Sequence, residues 1–285
     1  MTIAAGFVCE DGLLLCADSQ EVISGYTKNE VDKVRMWKDQ GLCIAITGAG
    51  DTELIEYAGK LIETAITDEY SPKEWRLSED YQRIIEKTFA QLFKDAILPY
   101  ATFPREDRPY VDLLIAIGVS NDVSKFEMLF KASGTTVREI DFGAECIGSG
   151  TMIAKSLIER IYSSFLKLDD AIIIACYILY HAKRWTDGCG GDTSVVVSSV
   201  KNGLFGGGIH PLEIKHLESA FDEFDSHMHC ALMNFANPNV ADKDFRESSK
   251  TIQNRLIDIR KKAFKSIPHI AEYFSKIKSP HSGHI

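Results

Sequence analysis

The chain opens with Met1 and continues as Thr2-Ile-Ala-Ala-Gly-Phe-Val-Cys-Glu-Asp-Gly-Leu-Leu-Leu-Cys-Ala-Asp18. Two apolar runs, 3–9 and 13–17, flank Glu10-Asp11-Gly12, and these residue types favour a tight turn between antiparallel strands. The stretch therefore predicts a β-hairpin that begins directly after Thr2 and ends beside Asp18.

Thr2 carries two reactive groups once Met1 is removed, and aminopeptidases usually remove Met before a small residue such as Thr. The α-amine has an unperturbed pKa of about 8, so part of it is neutral near pH 7. A hydroxyl is a weak nucleophile until a neighbouring base takes its proton. Thr2 could thus supply both nucleophile and base, although an ordinary processed terminus is the alternative for any Met-Thr start.

The composition narrows the class of protein. The chain has 285 residues, of which 45% are hydrophobic, and a net charge of −9, which argues against nucleic-acid binding and against a basic membrane-binding patch. The longest apolar run, 171–180, is about half of the roughly 20 residues that span a bilayer. Seven cysteines without a Cys-x-x-Cys motif, and no signal peptide, lead us to expect a cytoplasmic protein with reduced thiols.

The hydrophobic pattern predicts groups of strands that alternate with pairs of helices. The predicted strands are 3–9, 13–17, 34–37, 42–47, 111–119, 126–132, 136–140 and 193–200, with a short partner strand after the last. The predicted helices follow Asp51 as N-cap, carry the apolar residues from Tyr81 to Ala96, run from Gly150 through Phe165, and extend from Leu168 to about Arg184.

This order predicts an α+β fold with a four-layer αββα sandwich, in which two sheets pack face to face and helices cover their outer faces. We expect this domain to cover 2–208. After three consecutive glycines, residues 209–285 predict a helical C-terminal extension. Its stripe of Ile252, Leu256 and Ile259 is expected to pack on the outer helices or on a neighbouring subunit, and the extension is expected to be separable from the chemistry.

Several motifs resemble one family. The chain resembles the 20S proteasome β-subunits and the related bacterial ATP-dependent peptidase subunit, which are N-terminal-nucleophile hydrolases. The resemblance covers about residues 2–205, and it is carried by the order and spacing of Thr2, Gly6, Asp11-Gly12, Ala17-Asp18-Ser19, Asp32-Lys33-Val34, Thr47-Gly48-Ala-Gly-Asp51, Ile147-Gly148-Ser149-Gly150 and Asp187-Gly-Cys-Gly190-Gly191.

By position, the resemblance implies that Thr2 is the nucleophile, Asp18 the acid on the second strand and Lys33 the family's lysine. A buried Lys33 ammonium would lower the pKa of the Thr2 amine and favour its basic form. Asp18 would keep that lysine charged, because an unpaired buried cation is costly. A purely structural Asp18–Lys33 ion pair is the alternative, and Lys28 is a competing lysine that fits the spacing less well.

The resemblance further implies that the backbone N–H of Gly48 forms the oxyanion hole, and that Ser149 and Asp187 support the α-amine. Alternatively, Gly48 is only a turn glycine and Ser149 only the N-cap of the next helix. The family usually reads Arg-Asp-x-x-Ser-Gly-Gly near Asp187, whereas this chain reads Arg184-Trp-Thr-Asp-Gly-Cys-Gly-Gly191. Anchored on Asp187, Gly190 replaces the serine; anchored on the glycine pair, Cys189 replaces it and Thr186 replaces the aspartate. We prefer the first register.

The implied activity is threonine-type peptide hydrolysis in a self-compartmentalising homo-oligomeric ring, with a possible ATPase unfoldase as partner and without a cofactor. The resemblance places Glu21, Val22 and Ile46 in the substrate pocket, where Ile46 favours an apolar side chain and Glu21 could instead recruit a basic one. A non-peptidase amidohydrolase and a non-catalytic structural subunit remain alternatives. His227-Met-His229-Cys230 could ligate zinc, but packing and surface roles are commoner on such a helix, and we predict no metal site.

Overall fold

The computed structural model describes residues 2–23, 27–74, 76–104, 107–121, 123–200 and 204–265. In these ranges the strands are β1 (Ile3–Cys9), β2 (Gly12–Asp18), β3 (Gln20–Ile23), β4 (Thr27–Glu30), β5 (Val34–Asp39), β6 (Leu42–Gly50), β7 (Val111–Ser120), β8 (Lys125–Ser133), β9 (Thr136–Glu139), β10 (Gly143–Gly148), β11 (Thr193–Ser199) and β12 (Leu204–Ile209). The α-helices are α1 (Thr52–Glu69), α2 (Ser78–Leu92), α3 (Thr151–Ile161), α4 (Leu168–Trp185), α5 (Pro211–Ala236) and α6 (Asp242–Lys265). The α+β class predicted from the sequence is confirmed.

Two five-stranded antiparallel sheets form the centre of the molecule. The first has the spatial order β10-β1-β2-β11-β12, and the second is a meander of consecutive strands, β5-β6-β7-β8-β9. A separate two-stranded ribbon pairs β3 with β4. Because β1 lies between β10 and β2, Thr2, the residue just before β1, enters the sheet between two neighbouring strands.

Alternation along the strands produces three apolar clusters. In β1, Ala4 belongs to the cluster between the two sheets, together with Leu15 of β2 and Leu114 of β7. Ile3 and Phe7 point to the other face, where they pack with α3, α4 and α5. The second sheet packs its outer face against α1 and α2 in the same way.

The structure corrects the predicted elements at several places. Strands β3, β4 and β10 were not predicted, and β10 lacks alternation because its buried residues, 145–147, are consecutive. The second helix ends at Leu92 and gives way to a π-helical turn over Phe93–Ile97. The third helix ends at Ile161, and Phe165, which we had assigned to its apolar stripe, is 85% exposed.

The C-terminal region begins with a helix that shares a core with the first sheet. Helix α5 contributes Ile214, Leu217 and Phe221 to the cluster that also contains α4. Helix α6 packs mainly on α5, with Ile259 buried and with Ile252 and Leu256 half-buried. Residues 266–285 lie outside the described part. Within the described ranges, no helix combines the length and the hydropathy needed to cross a membrane.

Glu145 of β10 is a buried carboxylate surrounded by cations. Its side chain is 7% exposed, and it contacts Lys131 (3.3 Å), Lys155 (3.2 Å) and Arg138. Burial raises the pKa of Glu145, but the nearby Lys131 and Lys155 charges and the N–H of Cys146 outweigh burial and hold the pKa below its usual value. The cluster thus compensates the cost of burying this charge.

Candidate functional site

Thr2 is held at the start of β1 by the strands on either side. Ile3 pairs with Gly148 of β10, and Ala4 pairs with Ala17 of β2. This register brings Thr2 next to Asp18, at the end of β2, and Thr2 is only 5% exposed. The predicted hairpin therefore accounts for the meeting of these two residues.

The Asp18 carboxylate is the centre of the group. Its Oδ1 accepts hydrogen bonds from the Thr2 hydroxyl (2.8 Å), the Ile3 N–H (3.0 Å) and the Lys33 ammonium (2.8 Å). Its Oδ2 accepts from the Gly190 N–H (2.9 Å). Asp18 has no exposed side-chain surface, so these four donors together satisfy a charge that would be costly to bury alone.

Lys33 brings a positive charge to the Thr2 hydroxyl. Its ammonium donates to Thr2 Oγ1, to Asp18 Oδ1 and to the Gln20 carbonyl, and its side chain is 12% exposed. Lys28, the competing lysine, lies exposed on β4. A cation in hydrogen-bond contact with the hydroxyl favours loss of the hydroxyl proton, and it also favours the neutral form of a neighbouring amine.

Ser149 contacts the backbone of Thr2 on the other side. The Thr2 N–H donates a hydrogen bond to Ser149 Oγ (3.2 Å), and the Ser149 hydroxyl in turn donates to the Thr2 carbonyl oxygen (3.2 Å). Ser149 is not the N-cap of α3, because Gly150 occupies that position. While Met1 is attached, the Thr2 nitrogen is an amide; after its removal, Ser149 would face the α-amine.

Gly148 is required by this close approach. Its φ of +94° lies in the left-handed region, and a Cβ there would come within 2.3 Å of the Thr2 carbonyl oxygen. Glycine is the residue that adopts this conformation without strain and leaves room for Thr2.

The loop after α4 presents a different residue from the one we preferred. Asp187 is exposed, and the structure does not bring it to Thr2. Instead, Cys189 is buried with Sγ 3.5 Å from Ser149 Oγ. Gly188 and Gly191 both have positive φ, and these turns direct 189–190 inward and 187 outward. The geometry thus favours the register anchored on the glycine pair. Burial raises the pKa of the Cys189 thiol, although the contact with Ser149 opposes the rise.

A buried ion pair that sequence reasoning missed supports the same loop. Lys183 of α4 donates to the Gly191 carbonyl (3.1 Å), to Thr193 Oγ1 (2.7 Å) and to Glu218 Oε1 of α5 (2.7 Å). The Lys183 and Glu218 side chains are 9% and 14% exposed. Thr193 pairs with Asp18 in the sheet, so α5 is connected to the Asp18 group through this network. The sequence offers no clear signal for this pair, because Lys183 lies beside Arg184 in the last turn of α4, where basic residues are common.

A cavity of about 380 Å³ opens beside Thr2, between β6 and α1. It contacts Glu21, Ile46 and Gly48, three of the residues predicted to bind or stabilise substrate. Glu21 accepts a hydrogen bond from Thr52 Oγ1. The side chain of Val22, the other predicted pocket residue, lies outside the described part of the structure.

Gly48 lies where strand pairing ends on one side of β6. The last pair between β5 and β6 joins Val34 to Thr47, whereas pairing with β7 continues to Gly50. A Cβ at Gly48 would come within 2.6 Å of Ile55 and 2.9 Å of Leu113. Close packing therefore also requires glycine at this position.

The possible metal ligands among the described residues do not form a cluster. No group of three or more His, Cys, Asp and Glu side chains among them is arranged to hold a metal ion. The segment His227-Met-His229-Cys230 lies on α5, in the described part.

The family model of the proteasome subunit matches residues 2–198. Proteasome subunit beta of Archaeoglobus profundus is 26% identical over 208 residues, which cover 72% of this chain and 86% of that protein. Proteasome subunit beta of Ferroglobus placidus is 25% identical over 197 residues, which cover 69% of this chain and 85% of that protein.

Solved structures of Anbu share the fold. An Anbu (Gly-1) mutant from Hyphomicrobium sp. strain MC1 has a TM-score of 0.67 at 13% identity and covers 84% of this chain and 100% of its own. Anbu (ancestral beta-subunit) from Yersinia bercovieri, with the same coverage, has a TM-score of 0.64 at 14% identity. The helical assembly of the Anbu complex from Pseudomonas aeruginosa gives 0.68 at 12% identity, over 85% of this chain and 99% of its own.

Proposed function

The chain belongs to the proteasome subunit family, and from that premise we propose that it is a threonine-type peptidase whose nucleophile is Thr2 after removal of Met1. The family carries a proteasome-like N-terminal-nucleophile fold. The observation that carries the proposal is the contact of one hydroxyl, Thr2 Oγ1, with both the Asp18 carboxylate and the Lys33 ammonium.

The reaction begins with transfer of the Thr2 hydroxyl proton to the free α-amine of the same residue. Oγ1 then attacks the carbonyl carbon of the scissile peptide bond, and the N–H of Gly48 donates to the oxyanion that forms. When the C–N bond breaks, the protonated amine gives its proton to the leaving amine, and an ester remains on Thr2. Water, deprotonated by the amine, attacks the ester and releases the acid, which regenerates the hydroxyl. No cofactor takes part.

Each supporting residue acts on one step. The Lys33 charge favours the neutral amine and stabilises negative charge that develops on Oγ1. Asp18 keeps Lys33 in place through the 2.8 Å contact, and Ser149 orients the amine. A preformed N–H donor such as Gly48 typically contributes about 10²–10³ in rate. Asp187 remains part of the predicted set, but its exposed position gives it no direct role in these steps.

We assign the fold as a four-layer αββα sandwich over 2–208 with a C-terminal extension over 209–285. The boundary falls one residue before the end of β12 at Ile209, and the described part of the extension then continues with helices α5 and α6. The assignment is supported by three apolar clusters, one between the sheets and one under the helices on each side. The buried residues of α5 continue one of these clusters. Truncation after Gly208 would therefore also uncover part of the α4 surface.

The pocket is expected to favour an apolar side chain at the cleavage position. Ile46 lines the cavity and has no charge to pair with a charged substrate group, and burying an unpaired charge is unfavourable. Glu21 and Val22 complete the predicted pocket, and the hydrogen bond from Thr52 holds Glu21 at the cavity.

We expect the protein to act as a homo-oligomer in the cytoplasm, on peptide or protein substrates and with a possible ATPase unfoldase. The proteasome family supports oligomer formation, and the Anbu complex is described in a helical assembly. A closed ring remains our proposal for this chain. The net charge of −9 argues against nucleic-acid and membrane partners.

The decisive experiment is the intact mass of the purified protein before and after reaction with a β-lactone or epoxyketone probe. We expect loss of Met1 and one probe adduct on Thr2. Thr2→Ala should lose both the adduct and peptide hydrolysis but keep the fold, while Thr2→Ser should keep the adduct. Retained Met1 in the native assembly would favour a non-catalytic subunit, and turnover of small amides without probe reaction would favour an amidohydrolase.

A further inference from the structure

Gly59 interrupts the apolar face of α1 that packs on the second sheet. The face comprises Ile55, Ala58, Ile62 and Ile66, and Gly59 lies four residues after Ile55, where the helical period predicts another apolar side chain. Glycine is, after proline, the least favourable residue in a helix interior. Helix formation therefore does not account for a glycine at position 59, and its surroundings in the protein should.

Close packing does not explain Gly59. A Cβ at Gly48 would collide with neighbouring side chains, whereas a Cβ at Gly59 would have no other atom within 4 Å, although Gly59 is buried. The missing side chain of Gly59 thus leaves empty space beside the helix.

That space is part of the cavity that begins at Thr2. On β6, alternate residues share a face, and the cavity contacts Gly48, Ile46 and Ile44 in turn. Four strand residues span about 13 Å, so the cavity continues well past Ile46. At this part, the lining of the cavity includes Ile44 and Trp37 from the sheet and Gly59 from the helix.

We propose that Gly59 sets the depth of the substrate pocket and thereby selects a large apolar side chain, aromatic or long aliphatic, at the cleavage position. This inference rests on the proposed peptidase function and adds the size of the preferred side chain. On the sheet side, Ile44 and the Trp37 ring form an apolar wall, and the ring offers an aromatic partner. On the helix side, the charged residues Lys60 and Glu63 also line the cavity beside Gly59. Two other charged residues that line the cavity, Arg35 and Glu56, pair with each other at 2.5 Å.

Leucine at position 59 should fill the inner part of the cavity without breaking α1, because Leu is a good helix former. We would compare the wild type with Gly59→Leu on fluorogenic peptides that differ only in Phe, Leu, Val or Ala at the cleavage position. The control is Tyr57→Leu, which places leucine on the exposed side of the same helix. Indole binding would be measured in parallel by NMR in a Thr2→Ala background, which does not depend on catalysis.

Gly59→Leu should lower kcat/KM at least about tenfold for Phe and leave it within about twofold for Ala, and it should weaken indole binding by at least about tenfold. Tyr57→Leu should change neither. If the wild type forms a Thr2 adduct but Gly59→Leu has an unchanged peptide preference, the inference is wrong. If the wild type neither reacts nor cleaves, yet indole binding is lost only in Gly59→Leu, the peptidase proposal fails and the assignment of pocket depth stands. Indole binding that is equal in both proteins overturns the assignment of depth.

Discussion

The buried pair of Lys183 and Glu218 provides a quantitative test of how α5 supports the site. Glu218→Gln leaves the Lys183 ammonium, which is 9% exposed, with neutral partners only. Removing one partner of a buried ion pair costs about 3–5 kcal/mol. Because glutamine keeps an amide oxygen that can accept from Lys183, we expect a loss of about 3 kcal/mol, the lower end of this range. For a protein of this size, that corresponds to a fall in Tm of roughly 6–12 °C.

The same substitution should slow the chemistry. Lys183 holds the Gly191 carbonyl, and the adjacent Gly190 N–H donates to Asp18 at 2.9 Å. Since a shift of about 1 Å near reacting groups can cost up to about a hundredfold in rate, we expect a fall of tenfold or more in the rate of adduct formation at Thr2. Urea unfolding measures the first effect, and intact mass over time measures the second.

Two further variants separate stability from positioning. The double variant Lys183→Met with Glu218→Leu removes both charges, and such apolar replacements are often neutral or stabilising. It should regain most of the stability but remain slow, because Gly191 has lost its cationic donor. Lys215→Ala breaks the exposed pair with Asp192, at 3.7 Å, and should cost at most about 1 kcal/mol. A stable Glu218→Gln protein, or a double variant that regains full activity, would refute this reasoning.

Four other predictions concern single residues. Lys33→Ala should reduce the rate of peptide hydrolysis by about 10³-fold or more, by analogy with the loss of a preorganised charge stabiliser, whereas Lys28→Ala should not change this rate. The reverse result in a peptide assay would show that Lys28, and not Lys33, is the lysine of the site. Glu21→Gln should leave a preference for Leu over Arg at the cleavage position unchanged, and an Arg preference that disappears in this variant would show that Glu21 selects the substrate. Cys189→Ser should retain adduct formation, because a hydroxyl can keep the contact with the neighbouring serine, and loss of the adduct in a folded variant would contradict this. The fold lowers the pKa of Glu145, so the ionised carboxylate stabilises the protein above the unfolded pKa of about 4.5, and this stabilisation is lost as the pH falls through the lower folded pKa. The difference in unfolding free energy between the wild type and Glu145→Gln should therefore shrink in acid. A difference that stays constant from pH 3 to 6 would exclude this explanation.

The residues that the sequence predicted well are those fixed by local strand register. Asp18 meets Thr2 because the tight turn between β1 and β2 fixes the register of the hairpin, in which Ala4 pairs with Ala17. The position of Gly48 follows similarly from β6, a continuous apolar strand with a clear turn at Gln40-Gly41 before it. In these cases, the apolar runs and the turn residues between them were sufficient.

The residues that the sequence predicted poorly depend on backbone turns and distant contacts. Asp187 and Cys189 are two positions apart, and only the positive φ angles at Gly188 and Gly191 decide which of them faces inward. Strand β10 was missed because it is only six residues long, begins and ends with glycine, and carries a charged residue, Glu145, among its buried positions. The contact of Lys183 with Glu218 joins residues 35 positions apart. The sequence around Lys183 does not indicate a partner on α5, and the sequence around Glu218 does not indicate one on α4.

The position of β1 in its sheet also determines when the contacts around Thr2 can be completed during synthesis. The meander of β5 to β9 pairs only neighbours in sequence, so it can form while the rest of the chain is still being made. By contrast, β1 has one early neighbour, β2, and gains the other only after β10 has emerged; β2 in turn waits for β11. The N-terminus, although synthesised first, is therefore among the last parts to be enclosed. Under the proposed function, this delay would give an aminopeptidase access to Met1 while Thr2 still lacks Ser149 and other late partners, so a nascent subunit would be processed before it could cleave other chains.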